Sequence, residues 1–307
     1  MGPSCKLAVP ASPGEASPLT SGKRRQRNLL HLINTNTKEM RNRKVTSRTA
    51  AVGEVTMHTE GRIAVITVRN EAKKNSYSPE MMEQLSDHLT AFEDDDDLWV
   101  AVQCAEGKDT TAGLDMPKFF GPIATARSQD PAKVDPFGLG RRCTKPVIAV
   151  VQGITFTIGI EMMLAADIVV AADTAQFQQL ECKRGIAPFG GAHFRYLTRT
   201  GWGNAMYHLF LCDKFDAATA LQMGFVQEVV PFGQHIDRAL ELAREICKNA
   251  PLGIRATKVA AMAFVAAAEQ AAIDQIPQIR AQVLDSEDCK EGIQSFIERR
   301  EAVFQGR

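Results

Sequence analysis

The chain has 307 residues, 45% hydrophobic and 23% charged, with 36 Lys or Arg balancing 36 Asp or Glu. That length supports one large domain or two ordinary ones without small-scaffold staples, and the composition is that of a soluble globular protein. Seven cysteines with no C-x-x-C pair and no Cys/His spacing suited to zinc argue against a disulfide framework and a structural metal. No charge-free apolar run reaches the roughly 18 residues of a membrane span.

The neutral total conceals an asymmetry. Residues 1–50 carry ten Lys or Arg against two Glu, a net +8, which leaves −8 for the remainder. The only apolar cluster there, NLLHLI, is too short to offset the entropy of ordering the segment, so residues 1–54 read as a disordered basic extension. Three accounts fit it: an inert extension, with Met40 and Met57 as other starts, an Arg-rich transit peptide, or a basic arm for nucleic acid. The arm lacks interleaved aromatics and its charges are scattered, which counts against nucleic acid. Free thiols suit a reducing compartment, so the expected location is cytoplasmic, or the mitochondrial matrix if the extension is a transit peptide.

From residue 55 the pattern changes. TMHTEGRIAVITVRN reads as two strands about the turn TEG, the second rich in β-branched residues. Ser78 then fits a helix N-cap, Pro79 the first helical position and Glu80 the first turn. Met82, Leu85, Leu89 and Phe92 give a helical stripe that the acidic run 93–97 ends. LWVAVQCAE is a buried strand, followed by the Gly-containing loop EGKDTTAGLDM. KPVIAVVQG is another strand, with Pro146 at its entrance. A turn of small residues leads to a helix starting near Ile158–Gly159, and DIVVAAD is the next strand. Beyond Trp202 helical periodicity prevails, interrupted by the short strand GFVQEVVP. Recurring strand, loop, helix, strand through residues 55–250 predicts an α/β core with largely parallel strands and site loops at their C-terminal ends. Residues 251–307 form a helical region whose Ala-rich stripe suits close packing or a subunit interface.

FTIGIEMMLAADIVVAAD, residues 156–173, is apolar almost throughout yet contains Glu161. The predicted helix start puts Glu161 in the first turn, among backbone amides that lack intrahelical partners and can bind an oxygen gaining negative charge. On this stretch alone, the simpler reading is an acid complementing the helix dipole. A second carboxylate changes that. Glu181 follows the strand DIVVAAD and its connection, and helix and strand run back against each other, which can bring the two glutamates together. Paired carboxylates can hold a water, one taking its proton while the other gives one. TTAGLD supplies a second candidate amide near Ala112–Gly113. His193, Lys183, Arg184, Cys143 and Cys182 also lie near these motifs, and each fits an ordinary core or surface role.

RNEAKKNSYS, AGLD, KPVIAVVQG with GIEMMLAADI, AQFQQLECKRGIAPFGG, DAATALQMGFVQEVVP and CKEGIQSFIERREAVF occur in the order and spacing of the crotonase superfamily. The chain resembles it across roughly residues 55–305 and, within it, the enoyl-CoA hydratases most. The resemblance implies a spiral of β-β-α repeats with a C-terminal helical oligomerisation region, a homotrimer or hexamer, and acyl-CoA substrates. No cofactor or metal is implied, coenzyme A being part of the substrate. Matched by position, Ala112 and Ile158 supply oxyanion-hole amides and Glu161 and Glu181 are the catalytic glutamates. Gly113, Leu114, Asp115 and Phe189 border the acyl site, and Phe296 and Arg299 contact the CoA nucleotide from a neighbouring subunit. The implied reaction is addition of water across the 2,3 double bond of a 2-enoyl-CoA. The alternatives are double-bond isomerisation or another acyl-CoA reaction on the same fold, and a non-catalytic homologue that binds nucleic acid or acts as a scaffold. Three departures bear on the substrate: Thr157-Ile158-Gly159 replaces G-G-G, Thr111 precedes A-G-x-D, and Phe189 replaces a glycine.

Overall fold

A tight hairpin opens the part of the chain that the computed structural model describes, residues 53–120 and 130–307. The expectations for residues 1–50, whether disorder, transit peptide or basic arm, lie outside the described residues. The hairpin joins β1 (Glu54–Glu60) and β2 (Ile63–Arg69), antiparallel and paired residue by residue. β2 then pairs in parallel with β3 (Val100–Ala105), β3 with β4 (Val147–Val151), β4 with β6 (Ile168–Ala172), and β6 with β9 (Glu228–Val230). The resulting six-stranded sheet has the order β1-β2-β3-β4-β6-β9.

Both faces of this sheet are covered, which is why its strands read as nearly continuous apolar runs. Ala64, Ile66 and Val68 of β2 face the main core, with Met81, Leu85, Leu89 and Phe92 of α1 (Pro79–Asp94). Ile63 and Val65 face the other way, with Val100, Val102, Ile148 and Val150, onto Ala239, Leu240 and Ala243 of α6 (His235–Ile246). α1 starts where the sequence predicts, with Ser78 Oγ accepting from the Met81 amide at 3.3 Å. Its buried stripe uses Met81 where the sequence reading has Met82, which is only partly buried.

A second, three-stranded sheet was not legible. β5 (Ile154–Phe156), β7 (Gln176–Gln178) and β8 (Phe215–Asp216) form it in the order β5-β7-β8. The sequence reading has β5 as a small-residue turn and β7 as a connection, because three residues are too few to display alternation. These strands complete the repeat: β4 is followed by β5 and α3 (Ile158–Ala165), and β6 by β7, the 3-10 turn Glu181–Arg184 and α4 (Ala192–Leu211), which breaks at Gly201. The architecture is therefore the expected α/β spiral. α2 (Met116–Phe120) and α5 (Ala217–Gln222) fill connections.

The C-terminal region is helical as expected, with α7 (Pro251–Ile273), α8 (Ile276–Leu284) and α9 (Glu287–Glu298). α7 buries none of its residues, and Leu252 and Phe264 are 79% and 90% exposed. By length and composition the 34-residue segment Pro251–Leu284 contains an 18-residue window apolar enough to cross a membrane, with mean hydropathy 1.3. The charge-free criterion applied to the sequence passes it over because charges such as Lys258 and Glu269 interrupt it. Both are tied to the core: Lys258 Nζ bonds Asp167 Oδ2 at 2.6 Å, and Glu269 Oε2 accepts from Arg142 at 2.5 Å.

Candidate active site

Two successive residues with positive φ, Lys74 (51°) and Asn75 (53°), begin the assembly of the site. Asparagine tolerates this left-handed conformation, and here its side chain is fully used. Asn75 Nδ2 donates to Glu106 O at 2.8 Å and Asp109 O at 2.7 Å, and its Oδ1 accepts from the Asn70 amide at 2.6 Å. The loop after β3 is thereby pinned. Further along it, Thr111 bridges to β5: its amide donates to Ile154 O at 2.9 Å, and its carbonyl accepts from Phe156 at 3.1 Å. The loop is thus fastened to the strand that leads into α3.

These bonds decide which amides are free. Ala112 N–H donates to Lys74 O at 2.9 Å and Gly113 N–H to Thr111 Oγ1 at 3.0 Å. Ala112 is therefore corrected as an oxygen-binding donor, since its proton is already committed. The next residue, Leu114, is bracketed by two bonds to Tyr77, from Tyr77 N to Gly113 O (2.9 Å) and from Asp115 N to Tyr77 O (2.8 Å). Its own amide has no acceptor among the described residues. Across from this loop, the amides of Ile158 and Gly159 head α3 and likewise have no acceptor among the described residues, as expected in a first helical turn. Thr157, before them, has φ 52° and ψ −115°, a backbone that favours glycine, and its Oγ1 would stand 2.6 Å from a Cβ at Gly113. The two loops meet there.

Glu161 is 2% exposed. Its Oε1 accepts from the amides of Gly190 (2.8 Å) and Ala192 (3.2 Å) at the start of α4. Gly190 is required: a Cβ there would lie 2.4 Å from Glu161 Oε2. Burial pushes the Glu161 carboxyl well above the usual range, while these two amides and, less, the Arg195 guanidinium pull it back. Arg195 is itself buried, with Nη1 on Phe137 O (2.5 Å) and Nη2 on Gly138 O (3.0 Å), and holds that loop against the Gly190 turn.

Glu181 opens the 3-10 turn and is 8% exposed. Burial raises its pKa first, and the charge of Glu161 raises it further. The charge of one carboxyl thus acts on the other, and the two resist being ionised together. Gln179, close to Glu181 but not aligned for an ordinary hydrogen bond, favours the charged form. A 40 Å³ cavity lined by Thr111, Gly159 and Met162 lies beneath the two loops, apart from the glutamates.

The remaining predicted residues fall in different places. Asp115 pairs with Lys73 Nζ at 2.7 Å. Phe189 is half-buried beneath the Arg280 guanidinium of α8, 5.2 Å from the ring centroid, in a cation–π contact. Phe296 and Arg299 lie on the surface at the end of α9, with Arg184 over the Phe296 ring at 4.6 Å. His193 is half-buried against Phe194, and burial lowers its pKa. Burial pushes the Cys143 thiol up to about 12, so it is inert. Cys182 differs. The nearby Cys182 thiol, with the amide and charge of Lys183, pulls the Cys212 thiol below its ordinary value. Among the described residues no group of His, Cys, Asp and Glu is arranged to hold a metal.

Residues 58–307 match the family model described as enoyl-CoA hydratase/isomerase. The enoyl-CoA hydratase EchA19 of Mycobacterium tuberculosis is 32% identical over 80% of this chain and 94% of its own length. Carnitinyl-CoA dehydratase of Citrobacter koseri is 34% identical over 80% of this chain and 96% of its own. Among solved structures, carnitinyl-CoA hydratase from Mycobacterium avium superposes with a TM-score of 0.76 at 29% identity, covering 85% of this chain and all of that one. With a family model spanning most of the chain and a fold that agrees, the chain belongs to the enoyl-CoA hydratase/isomerase family.

Proposed function

We propose that the chain adds water across the 2,3 double bond of a 2-enoyl-CoA thioester. The observation that carries this reading is the pair of buried glutamates whose charges oppose each other, Glu181 held protonated in part by Glu161. Two buried carboxyls that resist being ionised together suit a reaction in which one accepts a proton from water as the other delivers one to carbon. In this reading Glu161, which accepts two backbone amides, is the base that takes the water proton as oxygen bonds to C3. Glu181 protonates C2. The thioester oxygen, negative in the enolate, sits between the free amides of Leu114 and Ile158, where preorganised donors are worth most.

Several surfaces suit assembly into a trimer or hexamer. The uncovered stripe of α7 is apolar, and Trp202 and Phe210 on α4 are 68% and 73% exposed. Phe296 and Arg299 then face a neighbouring subunit's substrate, where a cation suits a phosphate. Location in the cytoplasm is the companion proposal, and no cofactor is invoked.

The test is crotonyl-CoA, followed by loss of its conjugated-thioester absorbance. Glu161→Gln and Glu181→Gln are each expected to lower kcat by ~10² or more with CoA binding nearly intact. Wild-type-like turnover by either variant rejects the assignment. Isomerisation needs only one of the carboxylates. Migration of a 3,4 double bond without loss of crotonyl-CoA absorbance favours it instead.

A further inference from the structure

Four buried polar atoms around Glu181 have no hydrogen-bond partner among the described residues: Glu181 Oε2, the Tyr196 hydroxyl, and Oε1 and Nε2 of Gln179. Tyr196 is fully buried and Gln179 is 2% exposed. Buried polar atoms in native proteins are almost always paired, to protein or to ordered water, so several orphans in one neighbourhood point to a shared small partner.

The fold brings them together. Gln179 continues β7 and stands two residues before Glu181. Tyr196 lies in the first half of α4, its ring 4.7 Å from Phe225, which in turn lies 5.7 Å from Phe177 of β7. The charges of Glu181 and, less, Glu161 act on the phenol, and the Gln179 amide acts on Glu181.

We propose that Tyr196 is a positioning residue: with Gln179 it holds a buried water that hydrogen-bonds Glu181 Oε2 and aims the carboxyl at the substrate. The inference rests on Glu181 being the acid of the proposed hydratase. The Tyr196 O–H and the Gln179 Nε2–H donate to the water, and the water donates to Glu181 Oε2. No covalent bond changes. A donor on Oε2 favours the ionised carboxyl, so removing it makes Glu181 harder to ionise. The other titratable groups around this carboxyl are Glu161 on α3, Cys212 and Asp213 at the end of α4, and Cys182, Lys183 and Arg184 on its own turn. Asp288 and Cys289 lie on α9, which packs on that turn.

The experiment is Tyr196→Phe in the full chain. With crotonyl-CoA, kcat is expected to fall about tenfold with KM within about twofold, and the alkaline limb of the kcat profile to move up by roughly half to one pH unit. Independently of turnover, the carboxyl stretch of Glu181, identified by its loss in Glu181→Gln, should disappear at correspondingly higher pH in infrared titration. An unchanged infrared titration overturns the proposal, as does a raised thermal midpoint with kcat unaltered, the outcome for deleting an unpaired hydroxyl. If the wild type turns over no enoyl-CoA the hydratase reading fails, while the infrared shift still decides whether Tyr196 acts on Glu181. Gln179→Leu leaves the phenol in place and should move the same band in the same direction, which keeps the test intact if Tyr196→Phe does not fold.

Discussion

Glu161 and Glu181 bind their protons more tightly in the folded chain than in the unfolded one, because burial disfavours their charged forms. Their protonated forms therefore stabilise the fold fully below the unfolded value of about 4.3, and this contribution is lost as pH rises through the higher folded value. Glu181→Gln, neutral at every pH, is expected to be more stable than the wild type at about pH 8, by roughly 1–3 kcal/mol, and to match it at about pH 4. Thermal denaturation at the two pH values checks this; an equal gain at both would assign the effect to packing instead. The same raised pKa values place the acid limb of activity well above that of an exposed carboxylate. At this scale the buried Glu161 was legible, since a glutamate in an apolar run stands out by residue type. The free amide of Leu114 was not, because a backbone donor carries no side-chain signature and only the bond from Ala112 to Lys74 reveals which amide is committed. Cys212 was equally silent, its neighbour Cys182 lying on a different element.

Among elements, the site depends on loops stitched to strands by a few polar side chains. Asn75 is 1% exposed and makes three hydrogen bonds, two of which fix the loop after β3 while the third accepts from the Asn70 amide. Asn75→Ala leaves those backbone groups unpaired, so it should cost about 2–4 kcal/mol and lower kcat more than it raises KM. Urea denaturation and steady-state kinetics separate the two effects. Gly190→Ala acts on the opposite wall, where the new Cβ would collide with Glu161 Oε2. A kcat loss of about tenfold or more with CoA affinity retained is expected, and wild-type kcat would mean that the turn yields easily. The hairpin and the Ser78–Pro79 helix start were readable because turn and cap chemistry is local. β5 and β7 were not, since their identity as strands comes from pairing with each other, a fact of the third dimension.

For the molecule as a whole, α7 presents an apolar surface that none of the described residues covers. Phe264→Glu is expected to shift sedimentation from an oligomer to a monomer, and an unchanged sedimentation coefficient would remove this helix from the interface. That the C-terminal region is helical was legible from periodicity; that α7 leaves its apolar residues exposed was not, because periodicity does not say which face finds cover. α9 reaches the chemistry by another route. Cβ atoms at Gly185 and Gly292 would lie 2.1 Å from Asp288 O and 2.2 Å from Arg184 O, so the turn that carries Glu181 and the last helix touch backbone to backbone. The tail thus braces the turn that carries Glu181. If the proposed hydration holds, trimming the chain before Glu287 should silence it while the six-stranded sheet stays folded, because the turn under Glu181 then loses its backing.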